Sequence, residues 1–290
     1  MALIAVTGAS GKLGRATITF LLDRDVPPTG IVAVVRDPAK VADLAGGDVQ
    51  VKRGDYTDPA SLESAFGGVE KLLFISTSAL GEERMLHHRN VVKAARATGV
   101  RHIIYTSVVS PSANAKFAAS PGHFHTEALI RESGIPYTFF RNNLYLDLVP
   151  LMFGNAVETG TLTYAAGPGR IGFIARDDIA EALATVLTHG EHRNREYPIT
   201  VSFAPYSMAD IATALGKAAG KTVRYSDVAP EAFRKTLEAR GLPAPVVSMS
   251  LALADAVRAG EFDAASPELE RFLGRPPMGL EPFLKRALAT

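Results

Sequence analysis

Short apolar runs separated by longer helical patterns recur along the first half of the chain. Each run is continuously apolar, which is typical of strands buried on both faces of a parallel sheet. Strands of this kind are predicted at 2–6, 31–35, 49–51, 72–75, 102–106 and 137–140. Helices are predicted between them at 13–22, 60–66, 82–98 and 121–133. This alternation predicts an α/β fold with a doubly wound parallel Rossmann sheet.

The pattern changes after Arg141. Helices are predicted at 176–188, 207–219, 230–240 and 246–259, and brief strands at 171–174, 196–200 and 222–225. We therefore expect an NAD(P)-binding Rossmann domain over residues 1–141 and a smaller C-terminal α+β lobe over 142–290 that binds substrate. This boundary is soft, because the 176–200 unit could return to the sheet.

Composition and charge narrow the classes of function. A net charge of +1 gives no reason to expect nucleic acid or a membrane surface as a partner. The absence of cysteine excludes disulfides and thiolate catalysis and fits a cytoplasmic protein. No signal-peptide pattern and no long apolar run is present, so a transmembrane helix is not expected. The histidines lack the spacing of metal ligands, and no hydrolase elbow is found, so neither site is expected.

A glycine turn follows the first strand. Gly8, Gly11 and Gly14 are spaced three apart between that strand and the first helix, the context that makes a glycine pattern a dinucleotide-binding candidate. We expect Gly8 to form the tight turn, Gly11 to let the backbone approach a pyrophosphate, and Gly14 to let the helix pack closely. The free N–H groups of the helix would then face the phosphates.

Polar or glycine-rich residues directly follow each predicted strand. In an open parallel sheet, ligands bind beyond the carboxyl ends of the strands. This rule selects residues 8–13, 36, 55–56, 76–78, 106–109 and 141–143. A single polar loop is weak evidence, because strands commonly end in polar loops. Six such loops at one end of a sheet predict a groove that binds a cofactor.

Arg36 directs the prediction toward NADP. A site selective for NAD places an acid at the end of the second strand, about twenty residues beyond the glycines. Arg36 comes first at that place here, and its guanidinium suits a 2′-phosphate, with Lys40 adding charge. Asp37 either accepts from the ribose of NAD or caps the helix that Pro38 begins. We favour the cap, and NADP(H) over NAD(H).

The helix after the fifth strand lacks the Tyr-x-x-x-Lys pair of the short-chain dehydrogenases. His123 and Glu127 have the same i, i+4 spacing instead. Either His123 orients substrate or donates a proton while Glu127 holds its ring, or the two form an ordinary surface ion pair. We favour a role in lining the pocket. Asn142 and Asn143, after the sixth strand, either bind the carboxamide or substrate or form a turn.

Taken in order, eight motifs resemble the atypical short-chain dehydrogenase/reductases of the NmrA-like group. They lie at 7–14 (TGASGKLG), 35–38 (VRDP), 54–56, 69–78, 88–91, 105–107, 123–127 (HFHTE) and 137–142 (YTFFRN). Looser similarity continues through 167–169, 176–178 and the C-terminal lobe. Within that group the chain resembles the bacterial type-2 NADPH:quinone oxidoreductases and the triphenylmethane dye reductases. No single motif is specific, but their order and spacing are.

The resemblance implies flavin-free hydride transfer from NADPH to a planar, electron-poor acceptor such as a quinone or a cationic dye. Such acceptors need little proton donation during hydride transfer, which accounts for the missing tyrosine. The residues expected to bind the cofactor are Gly8, Ser10, Gly11, Lys12, Leu13, Arg36, Asp55, Tyr56, Ser76, Thr77 and Thr106. Those expected to act on the acceptor are His123, Asn142, Asn143 and Tyr145.

Two other functions stay open. Some members of the group are non-catalytic redox sensors that bind NADP(H) and regulate partner proteins, and a lost Tyr/Lys pair fits that role equally. An enzyme like the sugar-nucleotide epimerases would need the missing tyrosine. We expect a small aromatic or quinone-like substrate as the partner, with no nucleic acid, membrane, flavin or metal. A monomer and a homodimer are both compatible with the sequence.

Overall fold

The computed structural model describes residues 2–289. The strands in that range are β1 (Ile4–Thr7), β2 (Ile31–Val35), β3 (Gln50–Arg53), β4 (Lys71–Phe74), β5 (His102–Val108), β6 (Tyr137–Asn142), β7 (Thr161–Tyr164), β8 (Arg170–Ile171), β9 (Arg195–Ile199), β10 (Tyr206–Ser207) and β11 (Arg224–Asp227). Short 3₁₀ helices lie at Pro28–Gly30, Pro38–Val41 and Leu146–Leu148. The α-helices are α1 (Lys12–Leu22), α2 (Ala42–Gly46), α3 (Pro59–Phe66), α4 (Gly81–Ala97), α5 (Ser120–Glu132), α6 (Val149–Phe153), α7 (Ala156–Thr159), α8 (Arg176–Thr188), α9 (Met208–Ala219), α10 (Pro230–Ala239), α11 (Ala244–Arg258), α12 (Glu268–Leu273) and α13 (Leu280–Leu288).

Seven strands form one sheet in the order β3-β2-β1-β4-β5-β6-β9. The pairs β1–β2, β1–β4, β2–β3 and β4–β5 are all parallel. Strand order reverses between β1 and β4, which is the switch point where doubly wound sheets bind dinucleotides. All six strands predicted in the first half are present, and the prediction of a doubly wound Rossmann sheet is confirmed.

The chain divides into two compact units. The first contains the chain up to Ala113, Gly122–Arg141 and Arg176–Tyr197; the second contains Asn114–Pro121, Asn142–Ala175 and the chain from Pro198 onward. Helix α8 and most of β9 therefore lie in the first unit. The role of the second unit in substrate binding stays a prediction.

The core of the first unit follows from the continuous apolar strands. Every residue of β1, β2 and β5 is buried, as expected for strands covered on both faces. Large buried side chains such as Phe66, Phe74 and Phe139 belong to one apolar cluster with Tyr105. Helix α1 packs against α8, and α3 packs against α4. These layers hold the carboxyl ends of the strands in fixed positions.

Local capping signals set several helix ends. The Asp58 side chain accepts from the Ser61 N–H at 3.2 Å and caps α3. Ser207 and Asp210 form a reciprocal capping box at the start of α9, and Gly220 ends that helix in the left-handed conformation.

The second unit contains two small sheets. Strand β10 pairs with β8 in antiparallel orientation, and β11 pairs with β7 in parallel orientation. The predicted strand 171–174 is wrong in length, because β8 ends at Ile171 and the chain then turns to other partners. Gly172 donates its N–H to the Phe262 carbonyl, and Ile174 forms an isolated bridge with Tyr145. None of the helices within residues 2–289 has the length and apolar character needed to cross a membrane.

Candidate cofactor site

Close backbone approaches shape the glycine turn between β1 and α1. Gly8 has a φ of 61°, in the left-handed region that favours glycine. The Gly11 N–H donates to the Gly8 carbonyl at 2.9 Å and closes the turn. A Cβ on Gly14 would lie 2.5 Å from the Gly8 oxygen and 2.9 Å from the Cα of Ala9. Helix α1 can therefore begin this close to the turn only with glycine at position 14.

Exposed groups surround this turn. Gly8, Ser10, Gly11 and Lys12 are exposed, whereas Leu13 is buried. Gly11 precedes the first residue of α1 without any side-chain cap, so the first-turn N–H groups have no intrahelical partner. Free N–H groups at the positive end of a helix suit a phosphate.

Two charged side chains follow β2: among the described residues Arg36 is unpaired, and Asp37 is engaged as a helix cap. Arg36 is exposed, and within residues 2–289 its guanidinium has no hydrogen-bond or ion-pair partner. Asp37 accepts from the Ala39 N–H at 3.1 Å and caps the helix that begins at Pro38, so the predicted cap is confirmed. Lys40 is also exposed. A 2′-phosphate would meet available positive charge here.

Asp55, after β3, holds its own loop. Its carboxylate accepts from the Thr57 N–H at 2.9 Å and from the Thr57 hydroxyl at 2.8 Å. The backbone hydrogen bond, then the hydroxyl bond and the charges of Arg36 and Arg53, hold the pKa of Asp55 below its usual range.

Tyr56 ties together the ends of β1 and β4. Its hydroxyl lies 2.6 Å from the Thr7 hydroxyl and 2.6 Å from the Ile75 carbonyl. Burial of this hydroxyl raises the pKa of Tyr56. Because the hydroxyl already has two partners, a cofactor contact by Tyr56 would come from its ring or backbone.

The loop after β4 is held by hydrogen bonds to its backbone. The Ser76 N–H donates to the Thr106 hydroxyl at 2.9 Å, and the Thr77 N–H donates to His88 Nε2 at 3.2 Å. The hydroxyl of Thr77 accepts from the Ala79 N–H at 3.2 Å. Thr106 is buried, and within residues 2–289 the Ser76 hydroxyl has no partner. Ser76 therefore offers a free donor, whereas Thr77 and Thr106 hold the loop.

His123 is buried in the interior, with both ring nitrogens engaged. Arg84 Nη1 lies 3.0 Å from Nε2, and the Tyr105 hydroxyl lies 2.7 Å from Nδ1. A guanidinium only donates, so Nε2 accepts and the ring proton sits on Nδ1. Burial, and then the Arg84 charge, lower the pKa of His123 well below its ordinary value. In this arrangement His123 is a neutral ring with no proton directed outward.

Glu127 is a buried carboxylate surrounded by donors. It accepts from the Ser107 hydroxyl at 2.7 Å and from Arg141 Nε and Nη2 at 3.0 and 2.7 Å. Arg131 lies 3.1 Å away, and both arginines also pair with Glu196. The carboxylate of Glu127 is therefore occupied by hydrogen bonds and ion pairs within the protein.

Both interpretations of the His123–Glu127 pair from the sequence are wrong, because the two side chains do not contact each other in the predicted way. Glu127 does not hold the His123 ring, because its partners are one serine and two arginines. Nor is the pair a surface ion pair, since His123 is 6% exposed and Glu127 is 2% exposed. Spacing of four residues placed them on one helix, but apart from Arg131 their partners come from other elements.

The remaining predicted acceptor residues lie in the second unit. Asn143 Nδ2 donates to the Thr200 hydroxyl at 3.1 Å and to the Phe262 carbonyl at 3.0 Å. Its Oδ1 accepts from the Leu144 N–H at 2.8 Å, so the whole amide serves the fold. Tyr145 is half-buried and forms the bridge with Ile174.

Asn142 differs from its neighbour. It is 3% exposed, and among residues 2–289 neither its Oδ1 nor its Nδ2 finds a hydrogen-bond partner. Buried amides without partners are rare and unfavourable, because the group has lost water and gained nothing. Of the four predicted acceptor residues, Asn142 therefore has free hydrogen-bonding capacity.

The sequence reasoning missed Arg84, which lies beneath the loop after β4. Helical spacing was the available signal, because Arg84, His88 and Val91 lie on one buried face of α4. An arginine on the apolar face of a helix needs internal acceptors.

Within residues 2–289, no group of three or more histidine, aspartate or glutamate side chains could hold a metal ion.

Comparison with known proteins gives one consistent family. The NmrA-like family model matches residues 1–280. The chain is 39% identical over 276 residues to quinone oxidoreductase 2 of Escherichia coli, covering 94% of each. The structure of an NADPH-dependent quinone oxidoreductase from Escherichia coli with NADPH matches with a TM-score of 0.92, at 35% identity over 98% of this chain and 99% of that one.

Two further relatives are named as reductases. Triphenylmethane reductase of Citrobacter, in complex with NADP(H), matches with a TM-score of 0.91 and 38% identity over 98% of this chain and 99% of that one. An NAD(P)H azoreductase of Xenophilus azovorans is 28% identical over 242 residues, covering 83% of this chain and 82% of its own.

Proposed function

The chain belongs to the NmrA-like family and is an oxidoreductase, and on that basis we propose that it is an NADPH-dependent, flavin-free reductase. Its acceptor in this proposal is a planar, electron-poor molecule such as a quinone or a cationic dye. The observation that carries the proposal is Arg36, an exposed guanidinium without an internal partner within residues 2–289, next to an acid engaged as a cap.

The residues of the first unit fit the cofactor. The glycine turn and the free N–H groups of α1 would hold the pyrophosphate. Arg36 and Lys40 would hold the 2′-phosphate, since a guanidinium matches phosphate geometry and an ammonium adds charge. Ser76, with its unpaired hydroxyl, would donate to the nicotinamide half. When bound, NADPH supplies the hydride.

The side chains around α5 support an acceptor that needs no proton from the protein. His123 has no free nitrogen, and Glu127 is neutralised by Arg131 and Arg141. What the chain can supply is orientation, and holding two reactants in line lowers a barrier without acid catalysis. A quinone or a cationic dye meets this condition, since the first gives a stable oxyanion and the second is neutralised by hydride.

The test is oxidation of NADPH, followed by its absorbance, with a benzoquinone, a naphthoquinone and a cationic triphenylmethane dye. We expect NADPH consumption with these acceptors and none with a simple aliphatic ketone, whose reduction needs a proton donor. If the protein binds NADPH tightly but consumes none of it with any of these acceptors, it would instead be a redox sensor. Activity that requires added flavin would contradict the flavin-free mechanism.

A further inference from the structure

Arg84 is a buried cation that no carboxylate neutralises within residues 2–289. The residue is 4% exposed. Its Nε donates to the Ala79 carbonyl at 2.8 Å, Nη2 donates to the Thr77 carbonyl at 2.8 Å, and Nη1 lies 3.0 Å from His123. Burial lowers the pKa of Arg84, because desolvation disfavours its charged form. Burial of a guanidinium without a carboxylate partner is unfavourable unless hydrogen bonds within the protein replace those it made to water.

Both carbonyls belong to the loop between β4 and α4, over residues 75–80. This loop follows β4, and Arg36 follows β2. The two strands lie on opposite sides of β1 in the sheet, with the switch in strand order between β1 and β4. In a doubly wound sheet, the two halves of the fold bind the two halves of a dinucleotide. The loop over residues 75–80 therefore belongs to the nicotinamide half, and Arg36 to the adenosine half.

Gly122 makes room for this arrangement. A Cβ at position 122 would lie 2.4 Å from Arg84 Cδ and 3.4 Å from its Nε. Gly122 lies in α5, where alanine is preferred to glycine by about 1 kcal/mol. The close approach of Arg84 accounts for a glycine at this position.

We propose that Arg84 is a positioning residue for the nicotinamide half of the cofactor. It fixes the carbonyls of Thr77 and Ala79, and through them the Ser76 hydroxyl, without touching the cofactor itself. This inference rests on the proposed NADPH-dependent function. It separates the two halves of the site, since Arg36 would hold the 2′-phosphate independently of the loop.

The test compares two ligands on the Arg84→Met variant. Adenosine 2′,5′-bisphosphate carries the 2′-phosphate but lacks the nicotinamide half, whereas NADPH has both. We expect NADPH affinity to fall on the order of tenfold, the size expected for the loss of about one hydrogen bond to the ligand, with unchanged affinity for adenosine 2′,5′-bisphosphate. Unchanged NADPH affinity, or an equal loss for both ligands, would overturn the inference. Wild-type protein that binds neither ligand would overturn the proposed function itself.

Two further variants separate positioning from general damage. Arg24→Met is the control, because Arg24 also bonds internally, to the Phe20 carbonyl at 3.3 Å, the Thr185 hydroxyl at 3.2 Å and the Glu181 carboxylate at 3.6 Å, but not to the loop. We expect it to bind both ligands like the wild type. Gly122→Ala keeps Arg84 but displaces it, and should reproduce the selective loss of NADPH even if Arg84→Met fails to fold. Gly122→Ala with wild-type NADPH affinity would contradict the inference.

Discussion

Lys12 and Arg36, after β1 and β2, are exposed and, in the described part of the chain, unengaged, whereas Ser107 in β5 and His123 and Glu127 in α5 are buried and engaged. Lys12 and Arg36 have no hydrogen-bond or ion-pair partner within residues 2–289. Ser107, His123 and Glu127 are each less than 9% exposed, and each has an internal partner. Both regions belong to the first unit and follow strands of one sheet.

This difference predicts that the exposed groups serve cofactor binding and the buried groups serve the stability of the fold. An exposed cation keeps its hydration until an anion arrives, so its charge is available for binding and contributes little to folding. A buried and fully bonded group contributes to folding but has no donor left for a ligand. Substitution of an exposed cation such as Arg36 should therefore change cofactor affinity, and substitution of a buried, bonded group such as Glu127 should change the free energy of unfolding.

The largest expected effect is on stability, from Glu127→Gln. A neutral amide leaves Arg131 and Arg141 with less compensation. Because both arginines keep Glu196 as a partner, we expect a cost of about 3 kcal/mol, the lower end of the range for a broken buried pair. We expect urea unfolding to show a loss of this size, with unchanged NADPH affinity under native conditions. Glu70→Gln is the matched control, because Glu70 pairs with Arg101 on the surface and should cost under about 1 kcal/mol. A Glu127→Gln variant of normal stability that no longer binds NADPH would reverse the assignment of this region.

The next effect is on affinity, from Arg36→Ala. Loss of charge-assisted hydrogen bonds to a 2′-phosphate should weaken NADPH binding by about 1.5–3 kcal/mol, or roughly 10- to 150-fold. NADH affinity and the free energy of unfolding should not change, because Arg36 has no internal partner within residues 2–289. Parallel titrations with NADPH and NADH measure the ratio, and the exposed Arg101→Ala is the control. Equal affinity of variant and wild type for NADPH would remove the case for NADP.

The smallest expected effect of a single substitution, from His102→Gln, is on the dependence of stability on pH. Burial lowers the pKa of His88 to about 2 and of His102 to about 4, and that of His123 lies well below its ordinary value. Below about 6.5 the unfolded chain binds protons that the folded protein does not, so stability falls as the pH falls and is recovered above about 6.5.

Urea unfolding between about pH 7.5 and pH 5 measures this slope, which should be about 1 kcal/mol per pH unit for each of these histidines. His102→Gln should make the slope shallower, since an amide can keep the 2.8 Å hydrogen bond to Thr138 without titrating. An identical slope in this variant would show that His102 is not held neutral.

Local signals predicted most of the fold. Continuous apolar runs predicted the strands because burial on both faces leaves no polar positions. The caps at Asp37, Asp58 and Ser207 were predictable because each side chain bonds a backbone N–H only two or three residues away. Such contacts depend on neighbouring residues alone.

Contacts between distant residues were not predictable in the same way. Asn142, the last residue of β6, and Asn143, directly after it, are the same residue type, yet the Asn143 side chain bonds residues 57 and 119 positions away while, within residues 2–289, the Asn142 side chain bonds none. Nothing in the adjacent sequence separates the two. Their difference arises only where strands and loops of the second unit meet.

The sequence alone determined the parallel sheet, the glycine turn and the position of Arg36, because periodicity and turn chemistry act within a few residues. Only the tertiary structure decided which polar groups remain available. His123 meets Arg84 across 39 residues, and Glu127 meets Ser107 across 20. A buried polar group takes the partner that packing brings to it, and packing is a property of the whole fold. The placement of α4 and α5 against the sheet therefore engaged His123, one of the side chains that the sequence had suggested for catalysis.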